Sequence, residues 1–135
     1  MTIRSEDEAL AFRYRASGAD PLIECELEVL GSDYQANGYT TRSQADELGR
    51  RVGLRAGHRL LDIGSGCGWP GLYLAGQSGC HVVVIDPVID GVRVARTRAE
   101  HDRVTEGGAC VQSLGDPLPF APESFDAVVH TDVTC

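Results

Sequence analysis

The sequence predicts a doubly wound α/β fold. Its parallel sheet is incomplete at about four strands and follows an N-terminal helical segment. Three observations carry this. Residues 60–63 (LLDI) and 81–86 (HVVVID) are short and almost wholly apolar, the character of parallel strands covered on both faces. Gly64, Gly66 and Gly68 alternate directly after the first of them. Residues 88–104 then repeat apolar positions at helical spacing before the text returns to strand character.

Along the chain, Ser5 with Glu8 three residues on is a capping-box signature, and Ala9, Leu10 and Phe12 give a first helix its apolar surface. Asp20-Pro21 reads as a cap followed by proline at the first helical position, and Gly31 as the stop. Ile23, Leu27 and Leu30 share one face of that helix. Residues 24–29 also alternate charged and apolar, so a strand stands beside the helix as an alternative. Residues 32–41 form a polar loop carrying Tyr34 and Tyr39. Thr41 and Gln44 make a second capping box, opening a helix over 43–52 with Ala45, Leu48 and Val52 as its stripe and Gly53 just past its end.

After the strand at 60–63, a short helix is expected over 69–77, with Pro70 in its first turn. In the helix over 88–104, Val88, Val92, Ala95 and Ala99 share one face, while Arg93, Arg96 and Arg103 face water. Residues 108–113 and 125–133 read as third and fourth strands. The organisation is thus a helical segment over 1–40 and a sheet-bearing domain over 41–135. An apolar strand at the end of a sheet, with no helix following, leaves an open edge. The expectation is a chain that is incomplete, or one that finds its missing layer in a second copy by homo-oligomerisation or strand exchange.

Composition narrows the function. The chain has 135 residues, with 12 basic against 20 acidic side chains and a net charge of −8. All 12 basic residues are arginine. Without lysine, neither a Walker-type phosphate loop nor a Schiff base can be built. The acidic balance argues against nucleic acid and against a polybasic membrane surface. The 5 cysteines are odd in number and lack a C-x-x-C pair, so neither a disulfide framework nor a metal site is expected. No signal-peptide core and no run of the ~18–20 apolar residues needed to span a bilayer is present, and a soluble cytoplasmic protein is expected.

The strongest chemical signal is residues 60–75, LLDIGSGCGWPGLYLA. Glycines between a strand and a helix permit positive φ and let a ligand approach the backbone without meeting a Cβ. The helix N-terminus beyond them offers free N–H donors to an anionic group. Asp86 ends the second strand 20 residues after Gly66, where α/β folds place a carboxylate against a ribose. Loop and acid together point to an adenosine ligand. Gly66-x-Gly68-x-x-Gly71 also matches the dinucleotide fingerprint, so an NAD-dependent oxidoreductase fits the same spacing.

From Tyr39 to the end, the sequence resembles the class I S-adenosylmethionine-dependent methyltransferases of the small-molecule branch, which are Rossmann-like. LDIGSGCG is similar to that family's first motif, VVVIDPV to its second, and LPFAPESFDAVVHTDV to its L-P-F…S-F-D-x-V segment. The third has no counterpart in nicotinamide dehydrogenases. The resemblance implies S-adenosyl-L-methionine as cofactor, S-adenosyl-L-homocysteine as product and a small molecule as acceptor. It implies that Gly64, Ser65, Gly66, Cys67 and Gly68 line the cofactor, with Asp62 ordering the loop and the amino group. Asp86 would take the ribose hydroxyls, Pro87 and Val88 would lie beside the adenine, and His130 near the methionyl end. An acid just upstream of L-P-F reads the adenine in this family; Asp116 stands two residues before Leu118, and Ser113 nearer the usual place. The family also often folds an N-terminal segment over the cofactor, the place here of Tyr34, Tyr39 and Thr41. Trp69 packs on the cofactor chain or on the sheet, and Cys67 is a small filler. If the acceptor must lose a proton, His130 and Asp132 are the candidate bases. A non-catalytic cofactor-binding module is the remaining alternative.

Overall fold

The computed structural model describes residues 3–104, 106 and 108–133, with side chains from residue 6 onward. The side chain of Ser5, hence its capping box, and Cys135 lie outside the described residues. Three helices lead the chain: α1 (Ile3–Ala16), α2 (Asp20–Leu30) and α3 (Arg42–Val52). The rest alternates as β1 (Arg59–Ile63), α4 (Gly71–Ser78), β2 (His81–Asp86), α5 (Ile89–His101), β3 (Ala109–Gln112) and β4 (Ala127–Val129). The four strands form one parallel sheet in the order β3-β2-β1-β4. Apolar β1 and β2 lie at its centre, where both faces can be covered. The fold expectation holds.

The periodic elements behave as their patterns require. Leu60, Leu61, Val82, Val84 and Ile85 are buried at the sheet centre, and Val92, Ala95 and Ala99 bury the inner face of α5. Arg93, Arg96 and Arg103 face water. The Thr41 box forms in full: its hydroxyl accepts from Gln44 N–H at 3.2 Å, and Gln44 Oε1 accepts from Thr41 N–H at 2.8 Å. Gly31 and Gly53 end α2 and α3 in the left-handed conformation, at φ of 72° and 70°. Among the described residues no helix is long and apolar enough to cross a membrane.

Four expectations are corrected. Residues 24–29 are helical, which removes the strand alternative. α2 does not bury its apolar stripe; Leu27 is half exposed and the residue it buries is Glu26, whose Oε1 accepts from Ser32 Oγ at 2.8 Å and Tyr34 N–H at 2.9 Å. In α1, Phe12 faces solvent and Tyr14 is the aromatic that turns inward. The fourth strand is shorter than 125–133: Phe125 packs edge-on against Phe120 and Asp126 Oδ2 accepts from Arg59 N–H at 2.8 Å, so the S-F-D segment caps the entry to β1 before β4 begins.

Candidate functional site: a glycine-walled cavity at the carboxyl ends of the central strands

β1 runs into the glycine loop at the carboxyl end of the sheet. Gly64 and Ser65 both donate their N–H to the Ile85 carbonyl, at 2.9 and 3.0 Å, pinning the loop to β2. Gly64, Gly66 and Gly68 all adopt positive φ, at 70°, 54° and 101°. This is the left-handed region that glycine alone enters cheaply, and the alternation in sequence is now explained.

Two carboxylates hold the loop from below. Asp62 is buried under it, and its Oδ2 accepts from Gly71 N–H at 2.8 Å, tying down the first turn of α4. Asp62 Oδ1 is buried without a hydrogen-bond partner. Burial pushes this carboxyl up to about 8, against the Gly71 amide that favours the charge and with the nearby Asp86 charge adding to the rise. Asp86, at the end of β2, takes Gly66 N–H on Oδ2 at 2.8 Å and Val88 N–H on Oδ1 at 2.9 Å. Burial raises its carboxyl as well, opposed by those two amides and by the Tyr14 hydroxyl.

Above the loop lies a cavity of about 290 Å³. One wall is Gly64, Ser65 and Gly66, with Asp86, Pro87 and Trp69 beside them. Leu10 and Tyr14 of α1 close one side, Ala36, Asn37 and Gly38 a second, and residues 131–133 a third. The N-terminal segment therefore folds over the carboxyl ends of the strands. Trp69 joins the two sides. Its Nε1–H donates to the Thr40 carbonyl at 3.0 Å, and its ring packs against Tyr34 and Tyr73 with centroids 5.2 Å away in both cases.

Of the residues singled out in the sequence, Gly64, Ser65, Gly66, Asp86, Pro87 and Asp132 line this cavity. Gly68 instead faces α4, where an added Cβ would stand 2.4 Å from Leu72 Cδ1. Cys67 and Val88 are buried in a small cluster with Tyr14 behind the wall. Burial pushes the Cys67 thiol up to about 12, so it stays a neutral filler. Asp116 and His130 are exposed and outside the wall. Asp132 Oδ2 accepts from Tyr39 N–H at 3.0 Å, Thr40 N–H at 3.2 Å and Thr40 Oγ1 at 2.9 Å, so it fastens the covering loop to the exit of β4.

Sequence reasoning missed Tyr14. Its ring sits between two backbone segments: a Cβ on Gly66 would be 3.3 Å from it, and one on Gly91 3.0 Å. Gly91 was the available signal, because a glycine inside a helix costs ~0.5–1 kcal/mol relative to alanine and marks a close approach.

A family described as a methyltransferase domain matches residues 61–135. Among curated relatives, a 24-methylenesterol C-methyltransferase 2 of Oryza sativa is 33% identical over 97 residues, which are 70% of this chain and 26% of the relative. An 18S rRNA (guanine-N(7))-methyltransferase of Mus musculus is 39% identical over 70 residues, 52% of this chain and 23% of the relative. The chain thus spans about a quarter of the length of these curated relatives. Among solved structures, an S-adenosylmethionine-dependent methyltransferase from Thiobacillus denitrificans, in complex with S-adenosyl-L-homocysteine, superposes with a TM-score of 0.60 at 27% identity, covering 67% of this chain and 36% of that one.

Proposed function

The chain belongs to the methyltransferase domain family, and from that premise we propose that it holds S-adenosylmethionine in the glycine-walled cavity and serves methyl transfer to a small-molecule acceptor. The observation that carries this is the meeting of Gly64, Ser65, Gly66 and Asp86 on one wall of a single cavity. The residues suit the cofactor. The glycine backbone leaves room for a close approach, Asp86 offers carboxylate oxygen to a ribose hydroxyl, and Pro87 gives an apolar edge for a base. Asp62 Oδ1 is an unsatisfied buried acceptor under the same loop.

Bound there, the cofactor supplies a methyl group already activated by a sulfonium charge. This chain's residues have to orient and enclose it, and orientation alone contributes ~7–11 kcal/mol in well-aligned reactions. The covering loop, fastened through Asp132 and Trp69, excludes water from that side. His130 and Asp132, both at the exit of β4, are the side chains from which a base would be drawn for an acceptor that must lose a proton. Asp132 is already engaged by the loop. The net charge of −8 favours a small molecule over RNA, because a phosphate backbone binds through clustered cations.

Thermal unfolding with S-adenosylhomocysteine or NAD tests the reading. A ligand at 100 times its dissociation constant stabilises by ~2.7 kcal/mol. The homocysteine product is expected to stabilise and NAD not; stabilisation by NAD alone would overturn the assignment. In calorimetry, Asp86→Ala is expected to weaken binding of the product by ~1.5–3 kcal/mol, the worth of a hydrogen bond to a charged group. An unchanged affinity removes Asp86 from the site.

A further inference from the structure

The strip of chain that covers the cavity hangs between two firm posts. At one end Tyr34 is buried, with its N–H on Glu26 Oε1 at 2.9 Å and its hydroxyl on Asp102 Oδ2 at 2.9 Å. At the other, Thr41 is locked into the capping box of α3. Residues 35–40 between them belong to no helix or strand, and Ala36, Asn37 and Gly38 line the cavity from this side. The wall they face is fixed, because Gly64 and Ser65 are both pinned to the Ile85 carbonyl of β2. The strip is therefore the side that can move.

The hold on the strip is concentrated on one atom. Asp132 Oδ2 receives Tyr39 N–H, Thr40 N–H and the Thr40 hydroxyl, at 3.0, 3.2 and 2.9 Å. Hydrogen bonds to a carboxylate are roughly twice as strong as neutral ones. The other tie on Thr40, from Trp69 Nε1–H to its carbonyl at 3.0 Å, is single and neutral. Two features serve the Asp132 contact. Gly38 leaves the space it needs, since a Cβ there would collide with the carboxylate. Asp132 itself sits at φ of 57°, in the left-handed region that Asp, Asn and Gly enter more readily than other residues.

We propose that Asp132 is the catch of a gate formed by residues 35–40: it is a positioning residue that holds the strip shut, and its release sets how fast cofactor enters and product leaves. The identity of the ligand that passes rests on the proposed function; the catch itself does not.

The test combines hydrogen exchange at the Tyr39 and Thr40 amides with the kinetics of S-adenosylhomocysteine, followed on the immobilised full chain by surface plasmon resonance. Glycine at position 132 keeps the backbone conformation and removes the acceptor. Asp132→Gly is expected to speed amide exchange at both residues about ten- to hundredfold, the loss of hydrogen bonding to a charged group. Association and release of S-adenosylhomocysteine should both become faster, so that affinity changes far less than either rate. Asp132→Asn keeps an acceptor oxygen without the charge and tolerates the same φ, and should fall between wild type and Asp132→Gly. Faster release with unchanged association would make Asp132 a plain binding contact, and unchanged rates would make it structural only; either result overturns the proposal. Should Asp132→Gly not fold, Gly38→Ala displaces the carboxylate from above and must raise both rates, and unchanged rates there refute the gate. Wild-type amides at Tyr39 and Thr40 that exchange without protection would refute the catch outright. Failure of wild type to bind S-adenosylhomocysteine would refute the proposed function instead, while hydrogen exchange still decides the catch.

Discussion

α5 and α2 are helices of similar length with similar apolar stripes, and they end in opposite states. α5 buries Val92, Ala95 and Ala99 to 6% exposure or less, whereas α2 leaves Leu27 50% exposed and buries Glu26 instead. The difference is what lies opposite. α5 crosses β2 and β3 on one side and meets α1 on another. α2 turns its inner side to the loop that follows it, whose Ser32 hydroxyl and Tyr34 amide both need an acceptor. A stripe of apolar residues becomes a core only where another surface is set against it; where polar backbone is set there, a carboxylate is buried in its place.

The contrast can be broken most forcefully at Ala95, which has no exposed surface. Ala95→Asp puts an unpaired charge between α5 and the sheet and is expected to cost more than ~3 kcal/mol in urea unfolding. A loss under ~1 kcal/mol would show that α5 is not held as tightly as its burial indicates.

The next effect concerns the sheet that α5 covers. The folded-state value of Asp62, about 8, lies above its ordinary 3.8. Its favourable contribution is therefore complete below the ordinary value and is lost as pH rises through about 8. In that window the slope approaches ~1.4 kcal/mol per pH unit. Asp62→Asn has no charge to bury, so it should gain stability relative to wild type between pH 5 and pH 8. Asp86, also raised by burial, leaves the variant some residual slope of the same sign. Parallel stability curves for the two proteins would contradict a buried carboxyl whose Oδ1 has no partner.

On the α2 side, Glu26→Ala strips Ser32 and Tyr34 of their shared acceptor and is expected to cost ~1–3 kcal/mol. Leu27→Ser, by contrast, should change stability by no more than ~0.5 kcal/mol, since the side chain is half in water already. If Leu27 proves more costly than Glu26, the comparison between the helices is reversed.

What could be read in the sequence was what repeats locally. β1, β2 and the inner face of α5 follow from apolar spacing, and the Thr41 box and the three positive-φ glycines from residue type alone. The wall of the cavity opposite the glycine loop could not be read in the same way. Tyr14 packs against Gly66 and Gly91, and Asp132 reaches Thr40, over long stretches of chain, and neither approach leaves a periodic mark. Gly91 was the nearest thing to a clue. The short β4 has a similar cause: Asp126 and Phe125 are spent on Arg59, by a hydrogen bond and by the guanidinium lying 5.7 Å over the ring, before the ladder begins.

Trp69 is the single tryptophan of the chain, and it stands in the cavity wall with its indole N–H on the covering loop. This chain thus carries one tryptophan reporter, placed where the glycine loop, the covering loop and the aromatic cluster meet. Its emission reports on that junction without a label, so opening of the loop and arrival of a ligand can be followed by light in the unmodified chain.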